Sequence, residues 1–153
     1  MAGGLCVESR LLRQRRAEKI ASALFADTFF FLALLNEDDP AHQRALTASA
    51  EKKSIVTTEF ILLELGNACA RAEDHADFLV LVAGMRASSR MTIVPLQTRL
   101  LARGLELMGS RSDENWSLTD CISFVVMEEH GLKEALTADR DFEQSGFKAL
   151  FLS

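Results

Sequence analysis

Two aspartates in this sequence come just after short runs that are predicted to be strands. Asp27 directly follows Ala23–Ala26, and Asp139 lies two residues beyond Glu134–Thr137. Both runs are typical of buried strands. In an open parallel sheet, ligands bind beyond the carboxyl ends of the strands. The two carboxylates are therefore candidates for one shared site.

Two further acids lie within apolar helical segments. Glu64 interrupts the segment Phe60–Leu65, and Asp120 closely precedes Phe124–Val126. A carboxylate on a buried helix face is costly unless a cation or hydrogen-bond donors satisfy it. Four such acids suggest one cation, and ligands that are all oxygen favour magnesium or manganese over zinc or copper.

Each of these acids also has a purely structural interpretation. The interpretations are a helix cap for Asp27, an ion pair with Arg71 or solvent exposure for Glu64, a capping box with Ser117 for Asp120, and a turn for Asp139, with Asp141 then the ligand. The capping box is compatible with metal binding, because one carboxylate can serve both purposes. Since the alternatives are partly independent, a shared cation explains the whole set more simply.

The elements that must position these acids alternate along the chain. Strands are predicted at residues 23–26, 54–57, 91–94 and 134–137, with a weaker fifth at 149–152. The helices predicted between them cover about 29–35, 41–50, 59–71, 75–88, 97–108 and 118–130. This alternation predicts an α/β three-layer sandwich, with a mainly parallel central sheet of four to five strands flanked by helices.

Composition excludes several other classes of protein. The three cysteines are widely spaced and odd in number, which disfavours a disulfide framework or a zinc site. The run Phe29–Leu35 is far shorter than the ~18 apolar residues of a membrane span, and Asp27 interrupts the stretch that faintly resembles a signal peptide. No glycine-rich phosphate loop occurs. We expect a cytoplasmic protein with no membrane association.

Four motifs in a fixed order point to a family. They are Leu24–Thr28, Thr57–Glu64, Trp116–Cys121 and Ala135–Phe142. Together they resemble the PIN domain, and within it the VapC-type toxins of bacterial toxin–antitoxin pairs. The resemblance covers roughly residues 23–152. Each motif is weak alone, but their order, spacing and context are specific.

The resemblance implies a metal-dependent endoribonuclease that is the toxin of a type II toxin–antitoxin system. It makes Asp27, Glu64, Asp120 and Asp139 the catalytic metal ligands for Mg²⁺ or Mn²⁺. Thr28 and Thr119 would hydrogen-bond a carboxylate or a metal-bound water, and Arg140 is the candidate for RNA contact because it adjoins Asp139. One or two ions would activate a water for in-line attack. Hydrolysis would leave a 5′-phosphate.

Partners follow from the same resemblance. They are an RNA substrate, a cognate antitoxin protein and a second copy of the chain in a homodimer. The segment Phe29–Leu35 is too apolar to face water on all sides, so part of it should be core and the rest should face an antitoxin helix or a second subunit. The alternative function is a catalytically degenerate PIN-like module that binds RNA or a partner equally well without metal.

The chain is predicted to consist of a basic N-terminal extension, residues 1–22, and a single PIN-like nuclease domain, residues 23–153. The net charge is −5, yet residues 1–23 carry five basic and two acidic side chains, a local charge of +3. The basic residues share a predicted helix with Leu11, Leu12 and Ile20. Two interpretations remain: a solvated or frayed basic helix, and an arm that contacts RNA or a partner.

Overall fold

A computed structural model describes residues 8–15 and 22–152 of the chain. Residues 8–15 are helical, which agrees with the helix predicted for the extension. The remaining residues assigned to that helix, among them Arg16, Lys19 and Ile20, lie outside the described residues.

Five parallel strands form the central sheet in the order β3–β2–β1–β4–β5. The strands are β1 (Leu24–Ala26), β2 (Ile55–Thr58), β3 (Met91–Val94), β4 (Glu134–Leu136) and β5 (Lys148–Ala149). The central β1 is entirely buried and apolar, as expected for a parallel strand covered on both faces. The predicted α/β fold with a parallel sheet is thus confirmed.

The helices connect the strands and flank the sheet. They are α1 (Thr28–Leu35), α2 (His42–Ala50), α3 (Glu59–Ala68), α4 (His75–Ala87), α5 (Thr98–Ser110), α6 (Leu118–Glu129) and α7 (Arg140–Gln144), with a short 3₁₀ turn at Ala72–Asp74. None of the helices within the described ranges is long and apolar enough to cross a membrane.

Two predicted boundaries were wrong. The helix after Thr58 ends at Ala68 rather than near Arg71, because Arg71 leaves the helix and pairs with Glu73 and Asp74 at 3.0 and 3.1 Å. The last strand is Lys148–Ala149 rather than residues 149–152. The amides of Leu150 and Phe151 still donate hydrogen bonds to the carbonyls of Ala135 and Thr137. The predicted pairing of this segment with β4 therefore continues beyond Ala149.

Helix α6 is the most deeply buried helix next to the site. Its residues Cys121–Met127 are all buried, and Gly131, with a φ of 66°, ends it as predicted. Helix α5 packs closely against α6, because a Cβ atom on Gly104 would come within 2.4 Å of Ile122 Cγ1. This packing fixes the position of the first turn of α6, which carries Asp120.

Candidate metal centre at the carboxyl edge of the sheet

The carboxyl edge of the sheet brings three acids into direct proximity. Asp120, Asp139 and Asp141 each offer a carboxylate oxygen, and these oxygens lie within 4.8 Å of one another. Asp120 lies in the first turn of α6, whereas Asp139 caps α7 by accepting a hydrogen bond of 2.9 Å from the amide of Asp141. The sequence offered Asp139 and Asp141 as alternatives, and the structure brings both to the cluster.

Asp27 lies deeper, at the end of β1. Its side chain is only 7% exposed, and its Oδ2 accepts a hydrogen bond of 3.0 Å from the hydroxyl of Thr137. Burial raises the pKa of Asp27 to about 6, and the negative charges of Asp120 and Glu64 act in the same direction. Asp27 occupies the N-cap position of α1, but its side chain makes no capping hydrogen bond. The helix-cap interpretation therefore does not account for its carboxylate.

Glu64 is half-buried on α3 and faces α1. It accepts a hydrogen bond from the hydroxyl of Thr28, the residue directly after Asp27. The ion pair with Arg71 that the sequence allowed does not form, because Arg71 pairs with Glu73 and Asp74. Thr28 thus ties the carboxylate of Glu64 to the end of β1.

Asp120 has a structural role as well as a place in the cluster. The amide and hydroxyl of Ser117 donate hydrogen bonds of 2.8 and 2.6 Å to its Oδ2, and its own amide donates to the Ser117 hydroxyl at 3.1 Å. This is the capping box that the sequence suggested. Burial raises the pKa of the Asp120 carboxyl despite these donors. Since both Ser117 donors meet Oδ2, the other oxygen, Oδ1, is the one left for a ligand.

The remaining residues singled out in the sequence have distinct placements. Among the described residues, the hydroxyl of Thr119 bonds to none of the acids; its carbonyl accepts a bond of 2.9 Å from Ser123. Arg140 is exposed beside Asp139.

Thr137 is a site residue that the sequence analysis missed. It is fully buried, its hydroxyl donates a hydrogen bond to Asp27, and the same hydroxyl accepts a bond of 3.1 Å from the amide of Asp139. A hydroxyl residue at the very end of a strand that leads to an acid was the signal available.

The donor set fits a hard divalent cation. It consists of carboxylates alone, without nitrogen or sulfur. Burial raises the pKa of Asp27, Asp120 and Asp141, and the nearby acids add to the rise in each case. Converging carboxylates of this kind are electrostatically unfavourable on their own, and a bound cation supplies the missing positive charge.

Comparison with known proteins identifies the family of the chain. The PIN domain model matches residues 24–148. A curated relative, the 23S rRNA-specific endonuclease VapC20 of Mycobacterium tuberculosis, is 30% identical over 125 residues, covering 81% of this chain and 95% of VapC20. The chain therefore belongs to the PIN domain family, in its VapC-type group of endoribonuclease toxins.

Two solved structures extend the comparison. The crystal structure of VapC20, described as a Sarcin-Ricin loop cleaving toxin, aligns with a TM-score of 0.72 and 26% identity over 82% of this chain and 96% of that one. VapBC2 from Rickettsia felis, bound to a DNA fragment from its promoter, aligns with a TM-score of 0.60 and 14% identity over 83% and 96% of the two chains. The second likeness concerns the fold alone. PIN nucleases generally use a divalent metal ion.

Proposed function

We propose that this chain hydrolyses RNA with a Mg²⁺ or Mn²⁺ ion held by Asp27, Glu64, Asp120 and Asp139, with Asp141 as a further ligand. The observation that carries the proposal is the cluster of three carboxylate oxygens within 4.8 Å at the carboxyl edge of the sheet, next to the buried Asp27. A cluster of this charge is costly without a cation, and its oxygen donors match these two metals.

The chain's own residues hold the ligands in place. Thr137 and Thr28 fix the carboxylates of Asp27 and Glu64, and Ser117 fixes one oxygen of Asp120. A bound divalent cation lowers the pKa of a water molecule and stabilises the charge that develops on the phosphate. Arg140, exposed next to Asp139, is the proposed contact for an RNA phosphate at this edge.

Hydrolysis by this route leaves a 5′-phosphate rather than a 2′,3′-cyclic phosphate. Cleavage through the 2′-hydroxyl typically needs a pair of histidines. In the described chain, His42 and His75 instead contact the carbonyls of Ala33 and Ala70 at 2.8 and 3.1 Å. His130 is the C-cap of α6, at the end opposite Asp120. The product termini therefore report directly on the mechanism.

The first RNA to test is 23S ribosomal RNA, on which VapC20 acts. The likeness to VapC20 spans nearly the whole of that protein. We therefore propose a cytoplasmic location, where this RNA is found.

A cognate antitoxin is the proposed protein partner. Leu32 and Leu35 of the apolar segment remain half-buried and, with the end of α3, line a hollow of about 440 Å³. The lining of this hollow carries Asp39, Asp74 and Asp77 and one cation, Arg71, which pairs with Asp74, so its net charge is negative. An antitoxin segment with apolar side chains flanked by basic ones would complement this hollow in shape and charge.

Homodimerisation is proposed from a separate surface. Leu101, Leu105 and Met108 share one face of α5 and are 37%, 52% and 42% exposed. Their i, i+4, i+7 spacing makes a continuous apolar stripe, and such stripes mark association surfaces. Light scattering at micromolar concentration tests this, and a Leu105→Glu variant should be monomeric while still binding metal.

The deciding experiment is cleavage of 23S rRNA by antitoxin-free protein, with Mg²⁺ or Mn²⁺ and with chelator. Wild type should cut only with metal and leave 5′-phosphates, and Asp120→Asn should be inactive. Asp38→Asn, which changes an exposed loop aspartate, is the matched control and should remain active. Metal-independent cleavage or cyclic-phosphate ends would refute the mechanism. RNA binding that is indifferent to metal, without cleavage, would favour the degenerate module.

A further inference from the structure

The lysines that the structure describes are segregated at one end of the fold. Four of the five lie at the amino edge of the sheet, opposite the acids: Lys52, Lys53, Lys133 and Lys148. Arg90 immediately precedes β3 at the same edge. All five side chains belong to exposed residues. The fifth lysine, Lys19, belongs to the segment that leads into β1 and lies outside the described residues.

Backbone hydrogen bonds show that these residues form a row. The amide of Leu24 bonds to the carbonyl of Ser54, and the amide of Ile55 bonds to the carbonyl of Arg90, each at 2.9 Å. The amide of Lys148 bonds to the carbonyl of Lys133, also at 2.9 Å. The basic residues therefore border neighbouring strands, and with strands about 4.8 Å apart the row is roughly 20 Å long.

The charge of this row opposes that of the rest of the molecule. Residues 51–54, 88–90, 131–134 and 148 carry five cations and two anions, Glu51 and Glu134, a net charge of +3, whereas the whole chain has −5. The two anions pair with Lys53 and Lys148 at 3.8 and 3.2 Å on the surface, where ion pairs are weak. Within the described chain, neither Lys52 nor Lys133 is ion-paired.

The basic extension enters at the same edge. Ser22 and Ala23, which connect it to β1, line a hollow of about 390 Å³ together with Lys133, Glu134 and Lys148. Seven peptide steps separate residue 15 from residue 22, so the carboxyl end of the described helix lies within about 25 Å of Ser22. Residues 1–23 carry a charge of +3 in the sequence and join the fold at this edge, at Ser22 and Ala23.

We propose that the amino edge, defined as Lys52, Lys53, Arg90, Lys133 and Lys148, is a second RNA-binding surface that holds the phosphate backbone of a folded RNA. The inference rests on the proposed function, in that it takes RNA as the substrate. The catalytic edge is strongly acidic and repels phosphates until a cation is bound. The two edges are about 13 Å apart along the four-residue β2. An RNA that is large enough to touch both edges gains its electrostatic attraction at the amino edge.

The test measures binding of 23S rRNA at several salt concentrations in the presence of chelator. A triple variant, Lys52→Gln with Lys53→Gln and Lys133→Gln, should bind on the order of tenfold more weakly, and the slope of log K against log salt should fall by about 2, because each lost phosphate contact contributes roughly 0.7–0.9. The control is Arg71→Gln, which removes one positive charge away from the amino edge and is compared with the single variant Lys133→Gln. Arg71→Gln should leave the slope of log K against log salt unchanged. Thermal unfolding checks that the variants fold.

The outcome is independent of whether cleavage needs metal, since no divalent ion is present. An unchanged salt slope in the triple variant would overturn the proposal, as would an equal fall in slope from Arg71→Gln. Failure of wild type to bind RNA, with binding to vesicles that contain anionic phospholipid, would also overturn it and assign the edge to a membrane surface.

Discussion

The hydroxyl of Thr137 donates a hydrogen bond of 3.0 Å to Oδ2 of Asp27, across 110 residues of sequence. The hydroxyl oxygen of Thr137 in turn accepts a bond of 3.1 Å from the amide of Asp139. One fully buried side chain therefore joins the end of β1 to the loop after β4. It holds two of the proposed metal ligands in register.

Replacing Thr137 with valine should weaken metal binding and RNA cleavage by about 10–100-fold, the range typical of a lost ligand-orienting contact. Valine keeps the shape but leaves the Asp27 carboxylate and the Asp139 amide without their partner, which should also cost about 1–3 kcal/mol of stability. Isothermal titration with Mn²⁺ and thermal unfolding measure the two effects. Thr137→Ser, which keeps the hydroxyl, should restore metal affinity; if it does not, the hydroxyl is not the group that positions the acids.

Replacing Gly104 with alanine should destabilise the packing of α5 on α6 by about 1–3 kcal/mol. The added Cβ would come within 2.4 Å of Ile122 Cγ1, two residues from Asp120, so the Ile122 side chain or one of the two helices must shift. Cleavage activity should fall with stability. Gly109→Ala, in the same helix with nothing within 4 Å of the new Cβ, should instead stabilise by about 0.5–1 kcal/mol. Denaturant unfolding of both variants measures this, and equal behaviour of the two would contradict the packing described.

The raised pKa of Asp27 predicts how stability depends on pH without metal. Its pKa rises from 3.8 to about 6 in the folded chain because of burial. Between these values the folded state binds more protons than the unfolded state, so the metal-free protein should lose stability as pH rises from 4 to 7. The loss attributable to Asp27 is about 3 kcal/mol.

Asp27→Asn isolates that contribution. With chelator at pH 7, the variant should unfold at a higher temperature than wild type, and its stability should vary less with pH. Added Mn²⁺ should reverse the order, because only wild type retains the ionised ligand. A wild-type protein whose metal-free stability increases from pH 5 to pH 7 relative to the variant would show that burial does not raise this pKa.

Local signals in the sequence were sufficient for the strands and for the caps. The strand Met91–Val94 was predicted to the residue, because Pro95 stops it. Ser117 was predicted to cap α6, and it does so through residues only three positions apart. Strand ends and helix caps of this kind depend only on residues that are close together in the sequence, so a single sequence is enough to predict them.

Contacts between distant segments were beyond the sequence. Thr137 escaped notice because its partner, Asp27, lies 110 residues away. The choice between Asp139 and Asp141 stayed open because it depends on how tightly the chain turns into the short α7. Thr119 adjoins Asp120 in sequence, yet among the described residues its hydroxyl bonds to none of the acids. Adjacency in sequence was a poor guide there, whereas placement at the end of a strand was a good one.

The central claim is that the carboxylates at the carboxyl edge of the sheet jointly bind a divalent cation, Mg²⁺ or Mn²⁺. Titration with Mn²⁺ monitored by electron paramagnetic resonance tests this claim most directly. Wild type should bind Mn²⁺, Mg²⁺ should compete, and Asp120→Asn and Asp139→Asn should each lose affinity by more than the roughly 10–100-fold expected for a residue that only orients a ligand. Asp38→Asn should bind as wild type does. Equal Mn²⁺ affinity in wild type, Asp120→Asn and Asp139→Asn would contradict the account.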